Sequence, residues 1–426
     1  MTETSAPAAA AWTCPFCPLA CDHLSVRSGS GEQPLALAGG NCERATRGLA
    51  RFSSRPPTAT AEIGGQPCEL DAAIDAAARL LAGSRQPLMA GLGTDVAGAR
   101  ALYPLACAIG AIVDAAGGDA LMHGLRALQD RGQFTATLAE VRTRADLIVF
   151  VGGLPTAQAP LIGLRCGIGD PQVAARHVVV LGPGADDGAV LAGWAGPGVT
   201  VETVALEGDL FSTLSLLLAA VAGRPLPALP APLRALAERL HAARYGVLVG
   251  APARLPAQGA LAVEAVHQII GHLNRSTRAA ALWVGGGHGA ATANQVFAWL
   301  SGLPLRSRAG PHGLEHEPLV FDGARLLAAG AVDALVWVST FDADAAPPPN
   351  RLPLLVLGPP EMAAAARRPG ALFIAVSTPG IGSAGHLFRT DGTVLMPLTA
   401  ARPDALPTVA EVARRLSVAL RPEPAA

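Results

Sequence analysis

Four of the seven cysteines lie within the first 42 residues, at Cys14, Cys17, Cys21 and Cys42. Their spacing is C-x2-C-x3-C-x20-C, and two prolines turn the chain between the first three. Thiolates this close together can converge on one centre, and a fourth can reach it from the next loop or strand. A cubane iron–sulfur cluster takes four thiolates in this way. The spacing therefore predicts a 4Fe-4S cluster site in a cysteine-rich head.

Two other states of these four cysteines stay open. Zinc also accepts four thiolates, although its usual ligands come as two C-x2-4-C pairs. The thiols could also be reduced and unligated in a cytosolic protein, where a disulfide framework is not expected. The remaining three, Cys68, Cys107 and Cys166, have no ligand spacing and are interpreted as small buried hydrophobes.

A glycine-rich segment, VGGGHGAATANQ (284–295), is a second candidate for ligand binding. In it Gly285, Gly287 and Ala290 fit the pattern G-x-G-x-x-A. Helix N-termini behind such turns bind diphosphates through free backbone amides. The acidic residue that marks nicotinamide dinucleotide sites is missing at the expected distance, so nicotinamide binding is not expected. The alternative is that these residues only form a tight turn from strand to helix.

The segment GPHGLEHEP (310–318) places His312 and His316 four residues apart. On a helix this spacing could bind zinc, but the glycines and prolines of the segment disfavour a helix. We therefore expect a polar loop. Arg306 and Arg308, close by in sequence, are interpreted as solvent-exposed, with binding of carboxylates as the alternative.

Composition excludes several mechanisms. All 32 basic residues are Arg, so Schiff-base chemistry, a pyridoxal phosphate anchor and a Lys-dependent phosphate loop are absent. The net charge of −1 favours neither nucleic acid nor an anionic membrane as a partner.

No uninterrupted apolar run reaches the roughly 18 residues that span a bilayer, and the start MTETSAPAAAAW lacks the basic region of a secretory signal. A cytoplasmic protein is expected.

The apolar content predicts partners. Hydrophobic residues make up 50% of the chain and charged residues 15%, against about 25% charged in an average soluble protein. Since monomers rarely leave large apolar patches exposed, other subunits are expected to cover part of this surface.

The elements that must position these residues alternate between strands and helices. Short runs that are apolar on both faces, separated by Ala/Leu stretches of helical period, indicate parallel sheets covered on both sides. The predicted strands are 87–92, 111–114, 145–152, 177–182, 245–250, 281–287, 333–340, 352–358 and 371–377. The predicted helices are 71–84, 95–109, 209–222, 231–243, 258–272, 290–300 and 360–367.

The fold class is α/β. Nine predicted strands are too many for one small sheet, which favours two sheet domains, with a single large doubly wound sheet as the alternative. Composition places weak boundaries at 53–60 and at the proline-rich stretch 222–232. We expect a cysteine-rich head of iron–sulfur type at residues 1–58, an α/β domain of residues 59–185 plus 330–426, and a second α/β domain of residues 186–329.

A cysteine head followed by α/β sheet domains resembles the molybdopterin oxidoreductases and, within them, the B subunits of formylmethanofuran dehydrogenases. The likeness is most specific over residues 111–153, and residues 14–26, 294–305, 332–340 and 386–398 also carry it. The resemblance implies the domain layout of that superfamily, in which glycine-rich loops after strands hold pterin dinucleotides.

In that family a cysteine or selenocysteine followed by His-Gly binds molybdenum or tungsten. The corresponding triplet here is Met122-His123-Gly124. A thiolate compensates the charge of a high-valent metal, whereas a neutral thioether does not. The resemblance therefore implies that Met122 and His123 form a vestigial metal position, without a tungsten or molybdenum pterin, and that no catalytic residue remains in this chain.

Loss of the metal thiolate is typical of one non-redox branch of the family, the B subunits of the formyltransferase/hydrolase complexes of methylotrophs. The resemblance implies a hetero-oligomer of one-carbon metabolism that moves formyl from tetrahydromethanopterin to a methanofuran-type carrier and releases formate. Its partners would be an amidohydrolase-like A subunit, a C subunit and a formyltransferase D subunit, with the carrier as a further contact. The chain would then be a scaffold. The alternative is an active tungsten or molybdenum formylmethanofuran dehydrogenase subunit with Met at the metal.

Overall fold

The computed structural model describes residues 10–27, 35–52 and 60–421. The start of the chain and the predicted boundary at 53–60, except residue 60, lie outside the described residues. The strands are β1 (Ala10–Trp12), β2 (Leu24–Arg27), β3 (Ala36–Gly39), β4 (Ala61–Ile63), β5 (Gln66–Cys68), β6 (Pro87–Gly93), β7 (Ile112–Val113), β8 (Leu147–Val151), β9 (Arg176–Leu181), β10 (Val199–Val204), β11 (Gly246–Gly250), β12 (Ala279–Trp283), β13 (Ser307–Gly310), β14 (Gly313–His316), β15 (Ala334–Ser339), β16 (Leu354–Gly358), β17 (Ala371–Ala375), β18 (Gly385–Phe388) and β19 (Leu395–Leu398).

The helices alternate with these strands, as the periodicity predicts. They are α1 (Glu43–Ala50), α2 (Leu70–Ala82), α3 (Val96–Ala108), α4 (Gly118–Arg131), α5 (Leu138–Arg144), α6 (Ile162–Arg165), α7 (Asp187–Trp194), α8 (Leu210–Val221), α9 (Ala231–Ala242), α10 (Gly259–Leu273), α11 (Ala290–Ser301), α12 (Gly323–Ala328), α13 (Ala363–Ala366) and α14 (Val409–Ala419). None of the helices in the described part of the chain is long and apolar enough to cross a membrane.

The chain divides into two compact units, each described by itself. The first unit comprises the described parts of residues 1–118, 286–389 and 394–426. Its main sheet has the strand order β14-β13-β7-β6-β15-β16-β17-β4-β5. The central strands β7, β6, β15, β16 and β17 are parallel, and both flanks are antiparallel. The same unit holds the small antiparallel sheet β1-β2-β3 and the hairpin β18-β19.

Both faces of the first unit's main sheet are buried. On one face Leu88, Leu335 and Val356 belong to a core that includes residues of α12 and α13. Their strand neighbours Met89 and Val336 point to the other face and are equally buried, because successive side chains of a strand alternate between faces. This two-sided burial is what the continuous apolar runs predict.

The second unit comprises residues 119–285 and 390–393. Its five strands are all parallel, in the order β10-β9-β8-β11-β12. Helices α8, α9 and α10 pack on one face, where Val149, Leu214 and Ile269 share a core. On the other face Phe150 contacts Trp194 of α7, with ring centroids 5.6 Å apart.

The α/β class with parallel sheets is confirmed, but the domain bounds differ from those expected. Strands β8 and β9 lie in the predicted first domain, yet they pair with β11 of the second unit's sheet. The proline-rich stretch 222–232, interpreted as a joint between domains, connects α8 to α9 within one core. Residues 1–58, expected as a separate head, contribute their described part to the first unit. Strand pairing joins residues distant in sequence, so local composition does not reveal it.

A buried histidine supports the core of the second unit. His267 lies on α10 and is 5% exposed. Its Nε2 accepts a hydrogen bond from the indole N–H of Trp283, with a donor–acceptor distance of 3.0 Å. Burial lowers the pKa of His267 to about 4, so the neutral ring is the folded form near neutral pH.

Acid should therefore weaken the fold through His267. Its pKa is lower in the folded state than in the unfolded state, so its contribution is complete above about pH 6.5 and is lost as pH falls toward 4. We expect a loss of up to about 3 kcal/mol in the free energy of unfolding between pH 7 and pH 4. Denaturant titrations at several pH values measure this. His267→Gln should flatten the dependence and His272→Gln, on the same helix, should retain it; equal slopes in the wild type and His267→Gln would contradict the assignment.

Candidate functional site

The central parallel strands of the nine-stranded sheet end at one edge, where small polar residues follow them. Thr94 follows β6, Thr340 follows β15 and Ser377 follows β17, and all three are buried. The Thr340 hydroxyl donates to the carbonyl of Gly93, and the Thr378 hydroxyl donates to the carbonyl of Thr340, both at 2.8 Å. Ligands of α/β proteins bind outside the carboxyl ends of parallel strands. This edge is therefore the candidate site of the first unit.

The cysteine segment, residues 12–21, lies against this edge. The indole N–H of Trp12 donates to the carbonyl of Gly380, in the loop after β17, at 2.7 Å. The Cys14 N–H donates to the carbonyl of Cys21 at 2.9 Å and closes the loop that carries three of the thiols. The indole hydrogen bond thus holds the segment over the strand ends, and the backbone bond fixes the shape of its loop.

All four predicted ligand cysteines are buried and neighbour one another in pairs. Burial raises the pKa of the Cys14 thiol above its ordinary value, and the nearby thiols of Cys17 and Cys42 raise it further. A hydrogen bond from Cys21 is the main cause that lowers the pKa of Cys17 to about 7. The four thiols therefore occupy one neighbourhood, as their spacing predicts.

The donor set fits a cluster in type and proximity. In the described part of the chain, however, no three His, Cys, Asp or Glu side chains are placed so that they could hold a metal ion. The thiols would have to turn toward a common centre to bind one, so the cluster stays a prediction. Of the three cysteines interpreted as small buried hydrophobes, Cys166 is fully buried, and burial raises its pKa to about 12. Cys68 and Cys107 are only half-buried, so for them the interpretation is wrong.

A charge network connects the cysteine segment to the strand-end loops. Arg44, on α1, donates through Nε to the carbonyl of Phe16 at 2.7 Å. Its Nη2 lies 2.6 Å from Nε2 of His288. That His288 nitrogen is 3.8 Å from an Asp342 carboxylate oxygen, and Asp342 accepts a hydrogen bond from Arg51 at 3.0 Å. Burial lowers the pKa of His288, so the ring is neutral and accepts from the guanidinium.

Three buried polar atoms at this edge have no hydrogen-bond partner within the described ranges. They are Oγ1 of Thr94, Oγ of Ser377 and Nδ1 of His288. Buried polar atoms are normally satisfied, so the edge keeps unused hydrogen-bonding capacity. Sequence analysis did not find Arg44, Arg51 or His288. The only signal was weak: two arginines seven residues apart lie just after Cys42.

The glycine-rich turn is packed against the same edge. A Cβ on Gly287 would lie 3.1 Å from Cδ of Pro18. Gly289, the N-cap of α11, has φ +86°, and a Cβ there would lie 2.3 Å from the carbonyl oxygen of Thr94. Glycine is therefore required at Gly289 by both backbone conformation and space.

The amides that a diphosphate would use are partly occupied. The N–H of Ala290 donates to the carbonyl of Gly287 at 3.2 Å, and the N–H of Ala291 donates to Gly286 at 3.1 Å. In the second unit, the N–H of Gly285 donates to the Thr390 hydroxyl at 3.1 Å. In this structure these residues serve packing and turn formation.

Met122 and His123, predicted to form a vestigial metal position, lie on α4. Met122 is buried, at 4% exposure. The ring of His123 packs against Gly259, where a Cβ would lie 2.5 Å from Cδ2. The carbonyl of Gly124 accepts a hydrogen bond from the Gln133 amide at 2.7 Å. This helix thus presents a thioether and a packed imidazole, and no thiolate.

The segment 310–318 forms a β-hairpin, with His312 in its turn, where a polar loop was expected. The imidazole Nδ1 of His316 bonds to the carbonyl of Arg306 at 3.0 Å. The interpretation of Arg306 as solvent-exposed is wrong, because its side chain is 3% exposed and pairs with Asp114 at 3.3 Å. Arg306 therefore forms ion pairs with carboxylates of the chain itself. Arg308 likewise pairs with Glu315, at 2.6 Å.

Parallel α/β sheets, with a cysteine segment at the carboxyl edge of one of them, agree with the resemblance to the B subunits of formylmethanofuran dehydrogenases, from which Met122 departs. No family model matches the chain. The chain is 33% identical over 368 residues to the B subunit of the formyltransferase/hydrolase complex of Methylorubrum extorquens, covering 84% of this chain and 96% of that protein. It therefore belongs to the family of formyltransferase/hydrolase complex B subunits.

Two further comparisons agree with this assignment. The chain is 25% identical over 405 residues to the B subunit of tungsten-containing formylmethanofuran dehydrogenase 2 of Methanocaldococcus jannaschii, covering 89% of this chain and 90% of that protein. Its fold matches a chain in the crystal structure of the formyltransferase/hydrolase complex of Methylorubrum extorquens with methylofuran. The TM-score is 0.72 at 32% identity, over 84% of this chain and 98% of that one. The resemblance to the B subunits of formylmethanofuran dehydrogenases is confirmed.

The close approach of Gly289 to the backbone of Thr94 can be tested by comparing Gly289 with Gly302, at the other end of α11. Gly302, the C-cap of α11, has φ +78°, and a Cβ there would meet nothing within 4 Å. Gly302→Ala should cost about 1 kcal/mol, for the left-handed conformation alone. Gly289→Ala should cost about 3 kcal/mol or more, because overpacking adds to that strain. Chemical denaturation measures both, and equal losses would show that the turn does not press on the backbone of Thr94.

Proposed function

We propose that this chain is the non-redox scaffold subunit of a formyltransferase/hydrolase complex. The complex transfers formyl from tetrahydromethanopterin to a methanofuran-type carrier and releases formate during formaldehyde oxidation. The observation that carries the proposal is the 33% identity to a B subunit of such a complex over almost its whole length. The neutral, helix-bound Met122 supports the non-redox assignment, because a thioether cannot replace the thiolate that a high-valent metal needs.

In this proposal the chain has no catalysis of its own. Formyl transfer belongs to the D subunit and hydrolysis to the amidohydrolase-like A subunit, while this chain pairs with the C subunit and holds the assembly together in the cytoplasm. The apolar side chains that the chain exposes support such contacts: Trp299, Leu319 and Val418 are each more than half exposed. A contact with the carrier is part of the proposal, since the matched complex was crystallised with methylofuran.

The rival function is an active tungsten or molybdenum dehydrogenase subunit. Its support is the lower identity, 25%, to a tungsten-containing relative. A pterin site would also need open amides at the glycine-rich turn, where Ala290 and Ala291 already donate to backbone carbonyls. We infer that the molybdopterin-oxidoreductase layout survives as architecture and that the pterin has been lost.

Activity measurements on the assembled complex test whether Met122 and His123 take part in catalysis. This chain is co-expressed with its A, C and D partners, and formate release is measured with the formylated carrier. Met122→Leu and His123→Gln should leave the rate within about twofold of the wild type, since neither residue is expected to touch the reacting atoms. Each variant must still co-purify with its partners. A loss of about a hundredfold in a variant that assembles normally would place the chemistry in this chain.

We further propose that Cys14, Cys17, Cys21 and Cys42 can bind a 4Fe-4S cluster that stabilises the fold. Their shared burial and pairwise proximity support this. In redox enzymes such a cluster transfers electrons. In this chain it would act as a structural cross-link, because Met122 provides no thiolate for a redox-active metal.

Reconstitution without oxygen tests the cluster. The full chain is incubated with ferrous iron and sulfide, and bound iron and visible absorption are measured. We expect about four irons per chain. Cys17→Ser combined with Cys21→Ser should abolish uptake, while Cys68→Ser should not affect it, because Cys68 lies outside the segment. Failure of the wild type to take up iron, or unchanged uptake by the double variant, would exclude a cluster on these cysteines; stoichiometric zinc would indicate the alternative metal.

A further inference from the structure

An open cleft of about 1000 Å³ lies in the second unit, at the amino-terminal edge of its sheet. Arg144 ends α5 shortly before β8, Tyr245 directly precedes β11, and Arg278 directly precedes β12. Arg244 and Phe134 also line the cleft. Residues from four separate segments thus converge on a cavity that neither the glycine-rich turn nor the cysteine segment contributes to.

The arginines of this cleft have unused binding capacity. Neither Arg144 nor Arg278 makes a side-chain hydrogen bond or ion pair with any residue in the described ranges. Arg244 reaches only Asp146, with Nε 3.5 Å from a carboxylate oxygen. By contrast, the buried Arg176 donates to several backbone carbonyls.

The carboxylates near the cleft are committed elsewhere. Glu140 accepts from the N–H and the hydroxyl of Thr137, at 2.9 and 3.1 Å, in the N-terminal cap of α5. Asp146 accepts from the backbone N–H groups of Arg244 and Tyr245, at 3.0 and 2.8 Å. Hydrogen bonds from neutral groups leave the charge of Glu140 in place, but three arginines line the cleft against this one carboxylate, so the lining keeps a net positive charge.

Several neutral polar groups of the lining are also occupied. The Asn274 side chain bonds to the N–H and the carbonyl of Ala279. Burial raises the pKa of the Tyr245 hydroxyl and the charge of Glu140 raises it further, while the smaller effects of Arg144 and Arg278 lower it. Guanidinium groups, the Tyr245 phenol and the Thr135 hydroxyl thus line the cleft. The ring of Phe134 beside them is 57% exposed.

We propose that this cleft binds an acidic peptide segment. Guanidinium groups bind carboxylates through two parallel hydrogen bonds, and clusters of arginines are a common means of recognising acidic motifs. The volume lies at the upper end of the range for ligand pockets, about 300–1000 Å³, so a single small anion would leave it mostly empty. Charges contributed by three separate segments suit a ligand whose carboxylates are spread along a chain, and Phe134 offers an apolar wall for its aliphatic parts.

Calorimetric titration of the full-length chain tests the proposal. The probes are α-linked hexaglutamate, neutral hexaglutamine, citrate and inorganic phosphate, each at low ionic strength. Hexaglutamate should bind, more weakly as salt is added, and hexaglutamine should not bind. Arg144→Gln combined with Arg278→Gln should weaken binding about tenfold. Arg79→Gln combined with Arg100→Gln, an equal charge change on exposed arginines of α2 and α3, should have no effect.

Circular dichroism and thermal unfolding verify that each variant is folded. Failure of hexaglutamate to bind the wild type at low salt would overturn the proposal. Unchanged binding by the folded double variant would place the peptide elsewhere and overturn it equally. Citrate or phosphate binding as tightly as the peptide would define a compact anion site instead of a peptide site.

Discussion

The close approach of the cysteine segment and the glycine-rich turn to the strand ends is the constraint on which the first unit depends. Gly289 lies so near the backbone of Thr94 that no side chain fits between them. Gly287 contacts Pro18, and Trp12 bonds to the loop after β17. In other α/β proteins this edge of the sheet holds a ligand. Here chain segments fill much of it, which agrees with a site that has become structural.

The charge network at the same edge follows from that packing. Arg44 is held by the carbonyl of Phe16 and by the ring of His288, 244 residues away in sequence. Partial burial lowers the pKa of His288, so the neutral ring can accept from a cation. A guanidinium beside buried thiols would favour their charged forms, which is consistent with an ancestral cluster site. The triplet on α4 carries Met122 where the resemblance predicts a thiolate, whereas all four cysteines are present.

Much of the fold could be predicted because the central strands are buried on both faces. Strand β6 was predicted at 87–92 and spans residues 87–93, since an unbroken apolar run leaves little ambiguity. Strand β10 was missed: it lies at the edge of its sheet, and half-exposed residues interrupt its apolar pattern. The predicted strand 281–287 ends earlier, at Trp283, because the glycines after it form the turn. Sheet membership of β8 and β9 depends on pairing with distant strands, which local sequence does not encode.

The residues of the candidate site could likewise be predicted only in part. Thiol spacing located the cysteines because the first three ligand candidates are neighbours in sequence. The network of Arg44, His288 and Asp342 could not be found, because the fold alone brings these residues together. Arg306 was misjudged for a related reason: its partner Asp114 is 192 residues away. Residues whose roles depend on long-range pairing need the structure.

Metal analysis of the assembled complex, purified without oxygen, tests the non-redox assignment most directly. Tungsten and molybdenum are quantified by mass spectrometry, and dye reduction with the formylated carrier is measured on the same sample. The account predicts neither metal in stoichiometric amount and no reduction of a viologen dye, together with release of formate. One tungsten or molybdenum per chain, with dye reduction, would contradict it and identify an active dehydrogenase subunit.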